Sequence, residues 1–143
     1  MCSPNRDLPN DKQLSFFICI FLCNGGVWMI ADKSYRFAVR IVKLCQYLRD
    51  TKHEFILSKQ LERSGTSICA NITEGQQGQS RADFIAKLSL ALKETSETKY
   101  WLSLLHDTGY LDARQYQSIQ VDCIEIEKML TSILRTSKKK TPR

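Results

Sequence analysis

Apolar side chains recur every three or four positions along the chain from residue 34 onward, which is the period of an amphipathic helix. The first predicted helix covers residues 34–50. Its apolar stripe consists of Phe37, Ile41, Leu44 and Leu48. Basic side chains occupy other positions of the same segment, so we expect one face to be buried and the rest to meet water.

A second helix is predicted to begin at residue 54 and to end at residue 71 or 73, with a stripe of Leu57, Leu61, Ser64 and Ile68. Residues 64–67 are all small, and Gly65 costs a helix about 1 kcal/mol relative to Ala. Two interpretations remain open: another backbone approaches this point closely, or the helix is locally kinked.

The third predicted helix is the longest, because residues 80–108 contain neither Gly nor Pro. Twenty-nine helical residues extend over about 43 Å. Ser80 followed by Asp83 resembles a capping box at its start, and Gly109 provides a stop. The apolar and small residues that alternate four and three apart are Phe84, Leu88, Ala91, Thr95, Thr98, Leu102 and Leu105.

The fourth predicted helix begins at Asp112, where Gln115 completes a second capping box. Its inward stripe is Tyr116, Ile119, Cys123, Ile126, Leu130 and Ile133. All three connections are short, so consecutive helices are expected to be antiparallel neighbours. The sequence therefore predicts an all-α protein, an up-down-up-down antiparallel four-helix bundle.

The predicted bundle occupies residues 29–136, between an N-terminal extension of residues 1–28 and a basic, disordered tail of residues 137–143. Residues 14–23 (LSFFICIFLC) form a ten-residue, predominantly apolar run, which is shorter than the roughly 20 residues that a membrane span needs. A signal peptide is a rival interpretation, but Arg6 and Lys12 are offset by nearby aspartates. Our hypothesis is that residues 1–28 arise from an upstream start codon.

The positive charge is concentrated near the end of the chain. The formal net charge is +6, and five of the 21 Lys and Arg residues lie in the last nine positions. Without them the balance is 16 basic to 15 acidic side chains. Such a tail favours a polyanionic partner such as nucleic acid, or is simply solvated.

No constellation of residues indicates catalysis. The only two histidines, His53 and His106, fall near helix ends, and no phosphate-binding loop or nucleophile motif occurs. The six cysteines match no zinc spacing and fit free thiols in a reducing cytoplasm. We therefore predict no catalytic residue, no metal and no cofactor, and expect a cytoplasmic protein that is not an enzyme.

Glu94 and Glu97 form one polar feature of interest on the third helix. They share a second stripe with Trp101 and two leucines. Unpaired carboxylates between large apolar groups are costly, so we expect Arg63 or Arg40 to pair with them. Arg63, Glu94 and Glu97 are thus a candidate buried polar clamp, and a solvent-facing stripe is the alternative.

Several short motifs resemble one known family. They are residues 64–75 (SGTSICANITEG), Asp83-Phe84 with Lys87-Leu88, residues 91–94 (ALKE) with Glu97, and residues 100–102 (YWL). Together they resemble the bacterial four-helix bundle family encoded in intervening sequences of 23S ribosomal RNA genes, also labelled a 23S ribosomal protein. The resemblance covers about residues 33–134.

The resemblance implies a four-helix bundle that assembles into a ring-shaped homo-oligomer, with a pentamer expected. A related member is the accessory variability determinant of diversity-generating retroelements, which partners a reverse transcriptase and binds nucleic acid through a basic surface. The family has no established enzymatic activity. The implied partners are a second copy of the chain, RNA or DNA, and a reverse transcriptase, with no membrane.

We therefore expect a homo-oligomeric protein that binds the backbone of RNA or DNA, the alternative being a protein-interaction scaffold with no nucleic-acid role. The basic residues expected to contact phosphates lie on helices one to three and in the tail. They are Lys33, Arg36, Arg40, Lys43, Lys59, Arg63, Arg81, Lys138, Lys139 and Lys140.

Overall fold

The computed structural model describes residues 26–139, which form four α-helices joined by short connections. The helices are α1 (Gly26–Asp50), α2 (Leu57–Gln76), α3 (Arg81–Asp107) and α4 (Ala113–Lys139). Within residues 26–139 there is no β-strand. The predicted all-α four-helix bundle is confirmed.

Each helix packs against two neighbours and none crosses the bundle diagonally, because α1 contacts only α2 and α4 and α3 contacts the same two helices. The antiparallel order is visible at both ends of the α1–α2 pair. The Gln76 side-chain amide donates to the Val27 carbonyl at 3.3 Å, and the Arg49 guanidinium contacts the Glu62 carboxylate at 3.0 Å. This is the up-down-up-down order that short connections impose.

The core is filled by the stripes that the sequence analysis identified. All seven seam residues of α3, from Phe84 to Leu105, are buried. On α1, Phe37, Ile41 and Leu48 are buried, while Leu44 lies at the edge of the core. Apolar burial stabilises the bundle at about 25 cal/mol for each Å² removed from water.

α1 begins eight residues before the predicted start at residue 34. The core stripe extends towards the N-terminus through Val27, Ile30 and Ser34, which are all buried. The sequence analysis began this stripe at Phe37 and thereby missed the first two turns. Residues 26–28, which were assigned to the N-terminal extension, belong to α1, and the remainder of that prediction lies outside the described residues.

α4 likewise continues beyond residue 136, the predicted end of the bundle. Residues 137–139, assigned to a disordered tail, are helical because this turn is packed. Leu134 and Ser137 are buried, and the Arg81 guanidinium donates to the Ser137 carbonyl. Lys138 and Lys139 therefore project from a helix, whereas Lys140 lies outside the described residues.

The helix ends follow local capping chemistry. The Ser80 hydroxyl accepts from the Asp83 amide at 3.1 Å, as predicted. Asp112 and Gln115 cap each other reciprocally at 2.7 and 3.1 Å, which confirms the second capping box. Gly109 has a φ of 84° after α3, a conformation that glycine adopts without steric cost.

α2 begins at Leu57 because Glu54 caps it from outside the helix. The Glu54 carboxylate accepts from the amides of Ile56, Leu57 and Ser58 at 2.6–3.0 Å. Burial by itself raises the pKa of this carboxyl, but the three amides together outweigh that effect and lower it below its ordinary value. The negative charge also lies where the positive end of the helix dipole favours it. The sequence analysis assigned Glu54 to the helix itself and missed this role.

None of the helices between residues 26 and 139 combines the length and apolar character that crossing a membrane requires.

Candidate nucleic-acid interface

The four basic candidates on α1 lie on one side of the helix but are mostly paired with acids. Lys33, Arg36, Arg40 and Lys43 follow one another at spacings of three, four and three residues. Lys33 forms an ion pair with Glu125, and Arg40 pairs with Asp122 and also donates to the Ser118 hydroxyl at 2.7 Å. Arg36 contacts Asp32 one turn earlier at 3.0 Å.

The ion pairs of Lys33 and Arg40 link α1 to α4 beside a groove of about 370 Å³. Its floor includes Phe37 and Met129, and its rims carry the paired charges. To bind a phosphate freely, Lys33, Arg36 or Arg40 would first have to leave its carboxylate. The structure therefore gives Lys33 and Arg40 a structural role at the α1–α4 interface. Of the four, only Lys43 is exposed with no ion pair to a described residue.

The two basic candidates on α2 differ from each other. Lys59 is exposed and has no ion pair within the described part of the chain. Arg63 reaches across to α3, where one guanidinium nitrogen contacts Glu97 and the other lies 3.7 Å from Glu94. The structure thus brings Arg63, Glu94 and Glu97 together, whereas Arg40 lies on the far side of α1 with Asp122.

The Arg63 cluster is half-exposed rather than fully enclosed in the single chain. The Arg63 side chain is 53% exposed, whereas those of Glu97 and Glu94 are 34% and 22% exposed. The Arg63 guanidinium and then the Trp101 indole N–H, which donates to Glu97 at 3.1 Å, lower the pKa of the Glu97 carboxyl. Oε2 of Glu94 is buried and accepts no hydrogen bond from the described residues. This arrangement joins α2 to α3, and the Arg63 guanidinium is occupied by the two glutamates of α3.

Arg81, Lys138 and Lys139 converge at one end of the bundle. The start of α3 meets the end of α4 there, through the bond from Arg81 to the Ser137 carbonyl. Lys138 and Lys139 are exposed in the last turn of α4. Basic side chains at a helix C-terminus are favoured by the helix dipole, which helps to keep this turn helical.

The C-terminal half of α4 carries two further exposed cations, Lys128 and Arg135, which the candidate set did not include. From residue 128 to the end of the chain there is no acidic residue. None of Lys128, Arg135, Lys138 and Lys139 forms an ion pair with a described residue. We call these four side chains the α4 basic face. The absence of acids after Glu127 is the sequence signal that would have found it.

Helical geometry aligns three members of this face. Lys128, Arg135 and Lys139 are separated by seven and four residues, which returns to nearly the same side of a helix at intervals of about 10 and 6 Å. Lys138 lies beside them, towards Arg81. Exposed hydroxyl residues lie between the cations, at Thr131, Ser132 and Thr136. The result is a row of positive charge along a helix, with polar neighbours.

The described residues hold no metal-binding cluster, and one of their two histidines is used in packing. Among residues 26–139 no group of three or more His, Cys, Asp and Glu side chains is placed to hold a metal ion. The His106 ring stacks on Tyr116 with centroids 4.5 Å apart, and its Nδ1 lies 3.0 Å from the Leu111 carbonyl oxygen. His106 thus joins α3 to α4 and the connection between them.

Burial makes two of the thiols poor nucleophiles. It raises the pKa of the Cys45 and Cys123 thiols to about 12. Because the thiolate is the reactive form, neither side chain is suited to nucleophilic chemistry at neutral pH.

Comparison with known proteins is consistent with this architecture. A solved structure from Bacteroides thetaiotaomicron, described as a protein with unknown function from the S23 ribosomal protein family, shares 55% identity with this chain. The match covers 77% of this chain and 98% of that one, with a TM-score of 0.76. None of the curated proteins matches. These findings indicate no enzyme family, and the relation to the retroelement accessory protein stays a prediction.

The family model described as 23S rRNA-intervening sequence protein matches residues 28–132, which include nearly all of α1, the whole of α2 and α3, and most of α4. Together with the similarity to the Bacteroides structure, this match shows that the chain belongs to the 23S rRNA-intervening sequence protein family.

Proposed function

We propose that this protein binds the sugar-phosphate backbone of nucleic acid through the α4 basic face, with Arg81 beside it. The observation that carries the proposal is the charge of residues 128–139, which include four exposed cations without an ion pair to a described residue and no acidic side chain. Such cations bind phosphates without giving up an intramolecular partner. Binding of this kind is driven by counterion release and is insensitive to base sequence.

The paired cations contribute less under this proposal. Lys33 and Arg40 are offset by Glu125 and Asp122, so the α1 side of the groove has little net charge. Arg63 is held by two glutamates on α3. A phosphate at either place competes with a carboxylate and also meets its negative charge. The proposal therefore narrows the expected set of contacts to the end of α4 and the start of α3.

The test compares two fourfold Lys/Arg→Gln variants that remove the same charge. One replaces the α4 basic face. The matched control replaces four exposed cations elsewhere that also lack an ion pair to a described residue, namely Lys52, Lys59, Lys93 and Arg114. Affinity for a structured RNA is measured by gel shift or fluorescence anisotropy at low and moderate salt.

We expect the α4 variant to lose affinity by at least about tenfold and the control by much less, because local phosphate contacts dominate the binding energy. Equal losses in the two variants would show that only net charge matters. An unmodified chain that fails to bind at low salt would reject the proposed function itself.

A second function, self-association, is favoured by an apolar strip on α1. Tyr35 and Val39 are exposed, and Ala38 and Val42 beside them are partly so. Lys43 and Gln46 complete the rim of this shallow surface. Exposed apolar strips of this kind are common at protein interfaces. We propose that a second copy of the chain covers it, in the homo-oligomer that the family resemblance implies.

Light scattering after size-exclusion chromatography tests the self-association proposal. The double variant Tyr35→Ser/Val39→Ser is expected to lower the oligomer mass while circular dichroism remains helical. Val121→Ser serves as the control, because Val121 is equally exposed but lies on α4. A monomeric unmodified chain, or a double variant of unchanged mass, would exclude this strip as the interface.

A further inference from the structure

We infer that the α4 basic face binds double-helical segments of nucleic acid in preference to single strands. The inference rests on the proposed function and adds the class of ligand. Two observations carry it: the cations stand on a packed helix, and among residues 26–139 the surface around them has no aromatic side chain to accept a base.

The first observation concerns rigidity. Ile133 and Leu134 are buried in the core and hold the helical turns from which Arg135 and its neighbours project. Lys128, Arg135 and Lys139 are therefore spread over about 16 Å along one straight axis. A double helix presents its phosphates in equally fixed lines and at high charge density. A rigid row and a rigid backbone make several contacts at once, with little conformational entropy to lose.

The second observation concerns base stacking. Proteins that bind single strands use aromatic side chains as stacking platforms, each worth about 1–3 kcal/mol per base. Residues 128–139 include no aromatic residue. Phe55 and Tyr100 are exposed, but they lie towards the opposite end of the bundle, near the start of α2 and the end of α3.

The exposed aromatics nearest the start of α1 lie on a different side of that helix from the residues that contact α4. Trp28 and Tyr35 are seven residues apart and share a stripe with Val39. This stripe differs from the one that contacts α4, which contains Lys33 and Arg40. A single strand on the α4 basic face thus gains phosphate contacts alone and must lose chain entropy to make them. The arrangement favours a ligand whose backbone is already ordered.

The experiment measures the dissociation constants of an RNA duplex and a DNA duplex, each against its own unstructured single strand, over a series of salt concentrations. We expect each duplex to bind at least about tenfold more tightly than its strand at equal phosphate content. With four contacts, the slope of log K against log salt should approach about −3.6 for a duplex and be no steeper than about −2.8 for a strand. In the fourfold α4 variant the duplex preference should disappear, whereas the fourfold control should keep it.

The outcomes separate this inference from the proposed function. Single strands that bind as tightly as duplexes, with affinity still lost in the α4 variant, would overturn the duplex preference and leave backbone binding intact. A duplex preference that persists in the α4 variant would place it on another surface and equally overturn the inference. No binding of any probe at low salt would reject both.

Discussion

The Ile41 side chain of α1 lies directly over Gly65 of α2. A Cβ atom added at Gly65 would stand 2.8 Å from Cγ2 and 2.9 Å from Cγ1 of Ile41. Both residues are buried, and α2 continues as an α-helix through Gly65. Close packing, and not a kink, is therefore the reason for glycine at this position, but the expected close approach of another backbone is not what the structure shows. The neighbour is a side chain of α1.

We expect Gly65→Ala to destabilise the protein by about 1 kcal/mol. The alanine gains about 1 kcal/mol of helix propensity, but overpacking a filled core typically costs about 1–3 kcal/mol. Ile41 is β-branched and has few rotamers with which to move aside. Urea unfolding followed by circular dichroism measures the change.

The control for this prediction is the same substitution in an Ile41→Ala background. That change removes the two nearest carbon atoms that the new Cβ would meet and leaves only Cβ of residue 41, at 3.2 Å, so Gly65→Ala should be neutral or stabilising there. If the substitution stabilises the unmodified chain as well, the contact with Ile41 does not explain the glycine.

Glu54→Gln should lower the free energy of unfolding by about 2 kcal/mol near neutral pH, because three amides lose a charged acceptor. The folded-state pKa of Glu54 lies below its ordinary value of 4.5. The stabilisation is therefore fully present above pH about 4.5 and is lost as the pH falls through the lower, folded-state pKa. The unfolding free energies of wild type and Glu54→Gln, measured across this pH range, should converge at acid pH.

Asp50→Asn is the comparison for the Glu54 prediction, since Asp50 is an exposed carboxylate at the end of α1. It should change stability by less than about 0.5 kcal/mol. If the difference in unfolding free energy between wild type and Glu54→Gln remains constant down to low pH, the charge of Glu54 is not the source of the cap's effect.

Arg63→Gln should raise the pKa of the Glu97 carboxyl towards 4.5, because the guanidinium is the main cause of its lowered value. Carboxyl ¹³C chemical shifts followed by NMR across an acid titration report this directly. Trp101→Phe removes the other donor and should produce a smaller rise. An unchanged Glu97 titration in Arg63→Gln would mean that the ion pair does not persist in solution.

Cys45 and Cys123 should be protected from thiol reagents in the folded protein. At neutral pH both remain uncharged, since burial raises the pKa of each thiol to about 12. In a variant with serine at the three cysteines before residue 26, we expect labelling only at Cys69, which is partly exposed. Adding Cys69→Ser should abolish the rapid labelling by the thiol reagent. The remaining, slow labelling of Cys45 and Cys123 should occur at the rate of global unfolding. Rapid labelling of Cys45 or Cys123 in that variant would contradict the packed core.

The self-association surface and the α4 basic face lie on different helices, so their variants are separable. Tyr35 and Val39 belong to α1, whereas the four cations belong to α4. Duplex binding by the Tyr35→Ser/Val39→Ser variant can therefore be measured separately. It tests whether assembly strengthens affinity by presenting several basic faces at once. We expect weaker binding to long duplexes and unchanged binding to short ones.

The sequence alone determined the helices and the side that each one buries. The seam of α3 from Phe84 to Leu105, and the caps at Ser80 and Asp112, depend on residues within a few positions of one another. Periodicity and capping are local properties, so they can be recognised from the amino-acid sequence alone. The early start of α1 was also present in the sequence, since Ile30 and Ser34 continue its stripe.

Only the tertiary structure decided which charged residues are partners. Arg40 meets Asp122, 82 positions away, and Arg63 meets Glu97 across the α2–α3 interface. Such pairings depend on how far each helix is rotated and shifted against its neighbour, and side-chain packing throughout the bundle sets both quantities. The same packing orders the last turn of α4 through Ser137 and Arg81, and so turns part of an apparent tail into a fixed row of cations.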